Sequence, residues 1–365
     1  MMRTVLLGDV IELAYGKSLP QRSRVSGRFP VFGSNGQVDT HNKSLVGGPG
    51  IIVGRKGSVG EVIWSKQDFW PIDTTYYVKL KNPDDDLRYW YYVLKTLGLN
   101  KLNSHSAIPG LNRDVAYIKQ VPLRSTLEQE KIANILGSLD KKIELNRRMN
   151  ETLEQLGQAL FRHYFVDNPE AADWDIVSLT ELCDRIASGG TPSTRNDNYY
   201  GGDIQWYSTK ELKDNFVFCS EKTITGDGLN ESSAKLFPVN TVMMAIYAAP
   251  TVGRLGILTQ EAAFNQATCG LVAKPSVGYE FIYLYLLLSR SDLNNMANGA
   301  AQQNISVGKV RNFAVMKPDD QTILKFKEKI QPIFEKIKRN SEETITLTSM
   351  RDSLLPKLIS GEIEV

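Results

Sequence analysis

Apolar and polar residues follow two different periods along this chain, and the change between them falls near residue 126. Before it, short apolar runs such as 50–53, 61–64 and 75–80 are separated by turns rich in Gly, Asn and Ser, which is typical of β-strands joined by tight loops. After it, apolar side chains recur every three or four residues, as they do along one face of a helix. The pattern predicts an α+β protein in which β-rich units alternate with long helices.

A first long helix is predicted from about residue 126 to 164. Ser125 with Glu128 and Thr126 with Gln129 both have the spacing of a capping box, in which two residues satisfy the free backbone groups at a helix start. At 1.5 Å per residue this helix would be ~58 Å long, which suits a spacer better than an element of one packed domain. Its apolar positions are Ile132, Leu136, Leu139, Ile143, Leu153, Leu156 and Leu160.

A second long helix is predicted to begin near Pro318. Pro332 lies inside it, lacks a backbone N–H, and is therefore expected to kink or interrupt the helix. The apolar positions on one face of this helix are Phe326, Ile330, Ile333, Ile337, Leu347, Leu354 and Leu358.

The sequence repeats itself. Residues 58–60 (Ser-Val-Gly) return 193 positions later as 251–253 (Thr-Val-Gly), and 73–75 correspond to 266–268 at the same offset. Such internal repetition predicts two copies of one globular unit, each followed by a long helix. The second copy carries 21 extra residues, expected to include 198–202 together with Trp206 and Tyr207. The predicted segments are a first globular unit (1–125), a first helical spacer (126–168), a second globular unit (169–316) and a second helical spacer (317–365).

The two helical patterns also match each other if the helices run antiparallel. Asn146 would then face Asn340 in the middle of an otherwise apolar contact, where a polar pair fixes register and orientation. The alternative is that each Asn faces water. The remaining predicted partners are Ile132 with Leu354, Leu139 with Leu347, Leu153 with Ile333, and Leu160 with Phe326.

Composition narrows the class of protein without naming a function. The hydrophobic content of 42% and the charged content of 23% are those of an ordinary globular protein. A net charge of +2 gives no overall attraction to nucleic acid, so DNA contact would need local basic clusters. The three cysteines are far apart and form no C-x-x-C pair, which favours a reducing compartment. The longest apolar run, 281–288, is far short of the ~20 residues that span a bilayer, and no signal-peptide pattern is seen, so we expect a cytoplasmic protein.

Catalytic patterns are missing from the sequence. Residues 16–18 (Gly-Lys-Ser) resemble the end of a phosphate-binding loop but lack its first glycine, and the three histidines have no partner at helical spacing for a metal. Residues 140–142 (Asp-Lys-Lys) have the D-x-K form of many nucleases, yet they fall on the first long helix, where a solvated charged face is the simpler interpretation. We therefore predict no catalytic centre, no metal site and no cofactor in this chain.

Polar loops suited to binding remain. Basic side chains can hold phosphates, while Arg, Asn and Gln can read base edges in the major groove. Solvated loops are the alternative interpretation, but two similar units on a spacer suit a protein that reads two DNA half-sites. Candidates in the first unit are Lys17, Arg22, Ser34, Asn35, Arg55 and Lys56, with Arg24, Arg28, Lys43 and Lys66 as further basic residues. Candidates in the second unit are Thr191, Ser193, Arg195, Ser208, Lys210, Arg254, Gln302, Gln303 and Asn304.

Over its whole length the chain resembles the specificity subunit of type I restriction-modification enzymes. The resemblance rests on the order of several motifs, present in two copies with two helical spacers. In the first unit these motifs are 29–36, 54–60, 73–75 and 106–111. In the second unit they are 190–193, 204–208, 264–266 and 302–305, and the closing segment is 354–363.

The resemblance implies two pseudo-symmetric β-rich target-recognition domains, one for each half of a bipartite DNA sequence, separated by two long antiparallel coiled-coil helices. The helices would act as a ruler and recruit two adenine methyltransferase subunits, which endonuclease subunits join. S-adenosylmethionine, ATP and Mg would bind those partners, and this chain would be non-catalytic. Two other functions stay open on the residues alone: a standalone hydrolase with duplicated β-rich domains, and a coiled-coil scaffold that binds no nucleic acid.

Overall fold

The structure is a computed structural model that describes residues 3–102, 110–247, 252–297 and 304–365. It divides into two compact units, each of which combines a β-rich part with residues of both long helices. Unit 1 comprises Met1–Glu144 and Ile345–Val365, and unit 2 comprises Leu145–Thr344. Each compact unit thus combines one predicted globular segment with parts of both predicted spacers, and the segment boundaries themselves stay a prediction.

Unit 1 contains a four-stranded sheet, a three-stranded sheet and a two-stranded pair. Its strands are β1 (Arg3–Leu6), β2 (Ile11–Tyr15), β3 (Phe29–Gly33), β4 (Gly36–His41), β5 (Gly50–Gly54), β6 (Val62–Ser65), β7 (Trp70–Pro71), β8 (Thr75–Leu80) and β9 (Gln120–Leu123). Its helices are α1 (Leu7–Val10), α2 (Leu87–Thr96), α3 (Arg113–Tyr117) and the first part of α4 (Thr126–Phe161). The sheet orders are β2-β8-β5-β6, β4-β3-β7 and β1-β9.

The core of unit 1 is organised around α2. Asp86 caps this helix by accepting a hydrogen bond from the Tyr89 backbone N–H at 2.7 Å. Tyr89, Trp90 and Tyr92 are fully buried, and burial of one such large side chain stabilises a fold by roughly 1.5–3 kcal/mol. Residues of the four-stranded sheet, of α4 and of the carboxyl-terminal helix complete the same cluster.

Unit 2 contains a five-stranded sheet, a three-stranded sheet and a two-stranded pair. Its strands are β10 (Ile176–Ser178), β11 (Cys183–Ser188), β12 (Tyr200–Tyr207), β13 (Asn215–Val217), β14 (Lys222–Ile224), β15 (Val242–Ala245), β16 (Leu255–Leu258), β17 (Ala263–Phe264), β18 (Thr268–Ala273) and β19 (Ala314–Met316). The sheet orders are β11-β18-β15-β16-β13, β14-β12-β17 and β10-β19. Its helices are α5 (Leu179–Leu182), α6 (Gly226–Asn230), α7 (Tyr279–Leu288), α8 (Arg290–Ala297), α9 (Val307–Arg311) and part of α10 (Asp320–Ser360), together with the last part of α4, which is followed by a π-helical turn at Arg162–Val166.

The strand pairing corrects the predicted place of the insertion. Trp206 and Tyr207 pair in parallel with β17, as Val31 and Phe32 pair with β7, so β12 is the repeated strand and not an inserted one. In unit 2, residues 207–221 lie between Trp206 and its strand partner Lys222. In unit 1, residues 32–38 lie between Val31 and its strand partner Asp39, so the unit 1 connection is eight residues shorter. Part of the extra chain therefore follows β12 and supplies β13. The offset alone located the insertion only between two sequence landmarks.

The two long helices run antiparallel, as predicted. Asn146 and Asn340 are 0% and 1% exposed, so the interpretation that each faces water is wrong. The Asn146 side-chain amide donates to the Asn340 carbonyl oxygen at 3.4 Å, and the Asn340 amide donates to Asn150 Oδ1 at 2.9 Å. In unit 2 the hydrophobic cluster contains Leu153, Leu160, Phe326 and Ile333, and in unit 1 it contains Ile132 and Leu354. Leu139 and Leu347 are half-buried, whereas Leu156, predicted on the apolar face, is exposed.

The ends and the continuity of these helices follow from a few residues. The predicted capping box is present, because Ser125 Oγ donates to Glu128 Oε2 at 2.7 Å and accepts from the Glu128 N–H at 3.4 Å. Pro332 does not interrupt the helix, since α10 is continuous through it, so that alternative is wrong and the kink stays a prediction. Ile330 and Phe334 beside Pro332 are buried, and this packing offsets the loss of one backbone hydrogen bond. No helix within the described ranges is both long and apolar enough to cross a bilayer.

Candidate nucleic-acid interface

In unit 1 several strand ends meet at one edge. β2 and β5 both pair antiparallel with β8, so they run parallel to each other and end beside the start of β8. There Gly16 N–H donates to the Thr75 carbonyl oxygen at 3.1 Å, and Arg55 N–H donates to the Thr74 carbonyl oxygen at 2.9 Å. The repeated 73–75 motif therefore joins the loops after β2 and β5. We call this region the unit 1 edge.

The turn between β3 and β4 lies at the same edge. Ser58 Oγ is 3.4 Å from Asn35 Oδ1, within hydrogen-bond distance, and a Cβ atom on Gly57 would lie 3.1 Å from Ser34 Oγ. Lys17 joins from the other side, because its N–H donates to the Pro71 carbonyl oxygen at 3.0 Å. The structure thus brings together Lys17, Ser34, Asn35, Arg55 and Lys56. Arg22 lies in an exposed 3-10 turn, Gln21–Ser23, without a described contact to this edge.

Arg55 belongs to a cluster that the sequence did not indicate. Its Nε and Nη2 donate to the Asp73 carbonyl oxygen at 3.1 and 2.6 Å, and its guanidinium carbon lies 5.3 Å from the Tyr15 ring centroid. Arg113 approaches the same Tyr15 ring, also at 5.3 Å, and the Tyr15 and Tyr76 rings are 5.1 Å apart. We call Tyr15, Arg55, Tyr76 and Arg113 the arginine–tyrosine cluster.

This cluster lines an open cavity of about 380 Å³ that also contains Lys56. Asp114 is the acidic side chain among the described residues that line it, and within the described ranges neither arginine nor Lys56 forms an ion pair. Burial raises the pKa of Tyr76 to about 12, so its hydroxyl stays protonated at neutral pH and donates to the Leu111 carbonyl oxygen at 3.1 Å. The cavity is therefore positively charged, which suits phosphate oxygens or acceptor-rich base edges.

Three further basic residues of unit 1 are engaged within the protein. Arg24 pairs with Asp39 at 3.3 Å, and Lys66 pairs with Glu144 at 3.3 Å. Arg28 lies over the Phe29 ring at 4.8 Å from its centroid. The ion pairs distinguish Arg24 and Lys66 from the cations of the arginine–tyrosine cluster, whereas the ring contact of Arg28 is of the same kind as theirs.

The corresponding edge of unit 2 is formed by the loops that come directly after β11, β12, β15 and β17. Gly190 N–H donates to the Phe264 carbonyl oxygen at 2.9 Å, and Thr191 Oγ1 is hydrogen-bonded to Gln266 Oε1. Ser193 Oγ accepts from the Arg195 N–H at 3.4 Å, and both residues are exposed. We call this region the unit 2 edge.

Several unit 2 candidates already make internal contacts. Ser208 Oγ donates to Glu211 Oε2 at 2.7 Å, and Lys210 forms an ion pair with Glu221. Arg254 is half-buried, and its carbonyl oxygen accepts from the Ala245 N–H at 2.9 Å. Gln302 and Gln303 lie outside the described residues, and half-buried Asn304 opens the next described range. Their assignment to DNA stays a prediction.

The two edges share a backbone frame but carry different side chains. Arg55 N–H donates to Thr74 and Leu111 N–H donates to Arg55 at 2.9 Å each, and Ile246 makes the equivalent bonds with Ala267 and Ile305 at 2.9 and 2.8 Å. The strand register places Ser188 and Cys269 where unit 1 has Tyr15 and Tyr76. Val307 begins α9 where Arg113 begins α3. The unit 2 edge therefore has no counterpart of the arginine–tyrosine cluster at these described positions.

Asp140, in the nuclease-like D-x-K pattern, has a structural role. The Tyr92 hydroxyl donates to Asp140 Oδ2 at 2.6 Å, and Arg351 Nη1 donates to Asp140 Oδ1 at 2.9 Å. The interpretation of a solvated charged face is wrong for this residue, because its carboxylate joins α2 to both long helices within unit 1. In the described parts of the chain, no group of three or more His, Cys, Asp or Glu residues is placed to hold a metal ion.

Comparisons with known proteins agree with the duplicated architecture. The family model described as the type I restriction modification DNA specificity domain matches residues 2–155 and 171–348. The HindI specificity subunit of Haemophilus influenzae is 27% identical over 311 residues, which cover 64% of this chain and 67% of that protein. The MjaIX specificity subunit of Methanocaldococcus jannaschii is 24% identical over 347 residues, covering 86% and 78%. A crystal structure of a type I S subunit from M. genitalium has the same fold, with a TM-score of 0.71, 18% identity, and coverage of 98% and 96%.

Proposed function

Because the chain belongs to the family of type I restriction-modification DNA specificity subunits, we propose that it supplies sequence recognition to such a complex. Specificity subunits of this family are non-catalytic and act together with DNA and with other restriction-modification subunits. The chain would then read a bipartite DNA target, with the unit 1 edge on one half-site and the unit 2 edge on the other.

One observation carries the assignment of one unit to each half-site. The two edges have equivalent backbone hydrogen bonds at Arg55 and Ile246, yet the side chains they present differ in charge, size and polarity. A shared frame with different reading groups is what recognition of two different short sequences requires, since sequence is read by side chains at base edges. The long helices would fix the number of base pairs between the half-sites.

We propose that two adenine methyltransferase subunits dock on the long helices and that endonuclease subunits join them. Both helices carry large apolar side chains that are exposed to solvent and that docked subunits would cover. The exposed apolar residues on α4 and α10 are Leu127, Ile135, Leu145, Leu156, Leu324, Ile345 and Met350. S-adenosylmethionine, ATP and Mg would bind those partners, and the complex would work in the cytoplasm.

The experiment compares the purified chain with the chain co-expressed with a methyltransferase subunit. We expect sequence-specific adenine methylation by the complex and no methyl transfer by the chain alone. Methyl transfer or hydrolysis by the partner-free chain would favour a standalone enzyme. Formation of the complex without DNA binding would favour a scaffold that binds no nucleic acid.

A further inference from the structure

The duplication within this chain separates two kinds of DNA contact. The phosphate backbone is the same in both half-sites, whereas the bases differ. Side chains that only hold phosphates have no reason to differ between the two edges on account of sequence, but side chains that read bases do. Arg55 and Ile246 occupy equivalent places in the two backbone frames and have opposite chemistry.

We propose that Arg55 reads a guanine in the half-site recognised by unit 1. This inference rests on the proposed function and sharpens the sequence-based expectation that Arg55 contacts DNA. It assigns the cavity of the arginine–tyrosine cluster to a purine edge that presents only hydrogen-bond acceptors in the major groove.

The guanidinium of Arg55 is held so that one of its edges stays available. Nε and one N–H of Nη2 are directed at the Asp73 carbonyl oxygen, at 3.1 and 2.6 Å. A guanidinium has five N–H donors, so the edge formed by Nη1 and the second N–H of Nη2 remains. Two parallel donors match O6 and N7 of guanine, the commonest specific arginine contact in DNA recognition.

Tyr15 and Arg113 position this group. The Arg55 guanidinium carbon is 5.3 Å from the centroid of the Tyr15 ring, a cation–π distance, and this contact together with the bonds to the Asp73 carbonyl oxygen restricts the side chain. Because the side chain is already fixed, little rotamer entropy is lost when DNA binds. Arg113, at the same distance from Tyr15, adds a second positive charge to the cavity.

The hydrogen-bond donors of Arg55 discriminate against the other three bases. Adenine and cytosine present an amino donor in the major groove, which would meet the arginine donors without an acceptor. Thymine offers one acceptor and a methyl group, so it satisfies one donor only. In unit 2 the equivalent Ile246 is fully buried, so it offers no such contact.

The test uses the full chain in complex with its methyltransferase subunits. Methylome sequencing first gives the recognised sequence, and exchange of residues 1–125 identifies the half-site of unit 1. Arg55→Lys keeps the charge but loses the planar pair of donors. We expect the variant complex to lose discrimination at one G·C pair by about 10- to 100-fold, measured on duplexes substituted at each position. The salt dependence of binding should stay unchanged, because no charge is lost.

Arg3→Lys is the matched control, since it makes the same substitution at an exposed arginine of β1, outside the unit 1 edge, and it should change neither quantity. Tyr15→Leu is a second variant at an exposed position, and it should weaken discrimination at the same base pair by a smaller factor. Thermal unfolding of each variant separates loss of recognition from loss of folding.

Three results would overturn the inference. One is a unit 1 half-site that contains no G·C pair. Another is full discrimination by a folded Arg55→Lys complex. The third is an Arg55→Ala complex that binds all sequences equally less tightly, with a smaller salt slope, which would make Arg55 a phosphate contact. If the unmodified complex shows no sequence preference at all, the proposed function itself fails, which is a distinguishable outcome.

Discussion

The unit 1 edge and the unit 2 edge are built on one frame and differ in what they present. In both, an N–H after a central strand donates to the residue before a buried threonine, Thr75 in unit 1 and Thr268 in unit 2. Both threonine N–H groups bond to the residue three positions earlier, at 3.0 and 3.1 Å. These bonds use backbone atoms, so side chains beside them can change without loss of the frame. The comparison shows that backbone atoms of these residues hold the fold, while their side chains are the atoms that would recognise DNA.

The edges also differ in how charge is compensated. Arg55 and Arg113 approach an aromatic ring and a backbone carbonyl, and the structure describes no carboxylate paired with them. Among the unit 2 candidates, Lys210 pairs with Glu221. Unpaired cations attract phosphates and acceptors, whereas paired ones must first exchange a partner. We therefore expect the two half-sites to be read with different chemistry.

The largest expected effect follows from exchanging the whole first globular unit. Replacement of residues 1–125 with the equivalent unit of a relative should change one half of the recognised sequence and leave the other half intact. The physical reason is that each edge is formed by strands of its own unit. Methylome sequencing of parent and exchanged complexes measures this. A simultaneous change of both half-sites would contradict the assignment of one unit to each half-site.

An insertion into the helices should alter the gap between the half-sites. One heptad added near Asn146, with a matching heptad near Asn340, preserves the apolar period of both helices. We expect a longer gap and unchanged half-sites, read from the methylome of an active variant. Insertion in α4 alone is the control and should abolish activity, because the two helices would lose register. An unchanged gap in an active double variant argues against the ruler.

Two equivalent glycines should respond unequally to alanine. Gly60 and Gly253 have φ of +73° and +79°, which disfavours any side chain. A Cβ at Gly60 would also lie 2.3 Å from backbone atoms of Leu99 and Asn100, whereas at Gly253 the nearest atom is a flexible Arg290 carbon at 3.2 Å. We expect losses of about 3 kcal/mol for Gly60→Ala and about 1 kcal/mol for Gly253→Ala in the free energy of unfolding. Equal losses in denaturant titrations would mean that the turns are not distinguished by packing.

A last, modest effect is expected at the buried asparagine pair. Asn340→Ala removes the donor to Asn150 Oδ1 and should cost about 1–2 kcal/mol in the free energy of unfolding. Arg339→Ala, at the exposed neighbouring position, is the control and should change the free energy of unfolding by ~0.5 kcal/mol or less. Chemical denaturation of both variants gives the comparison. A stabilised Asn340→Ala would show that the pair serves register alone.

The sequence was sufficient for the features that repeat over long distances. The helical period located α4 and α10, and the matched positions of Asn146 and Asn340 predicted their antiparallel pairing. The repeated motifs at 54–60 and 73–75 predicted the duplication, and the structure shows in addition that they meet at one edge. These features depend on spacing, which is visible without coordinates.

Other features depend on partners far apart in the chain and were missed. Tyr15 and Arg113 are 98 positions apart and meet only because β2 and α3 border the same edge. The sequence places Trp206 in the insertion, which is wrong. Only its pairing with β17, and not its residue type, shows that it lies in the repeated strand. Asp140 was placed on a solvated face because neither Tyr92 nor Arg351 is near it in sequence.

The composition of unit 1 has a consequence for biosynthesis. Leu358 and Ile359, near the end of α10, are buried in the same cluster as Ile132 and the aromatic residues of α2. The ribosome makes the first residues of this core long before the last ones, while all the residues of unit 2 emerge in between. The nascent amino-terminal part must therefore wait with an incomplete core until the end of α10 has been made, so unit 1 begins to emerge before unit 2 and can close only after it.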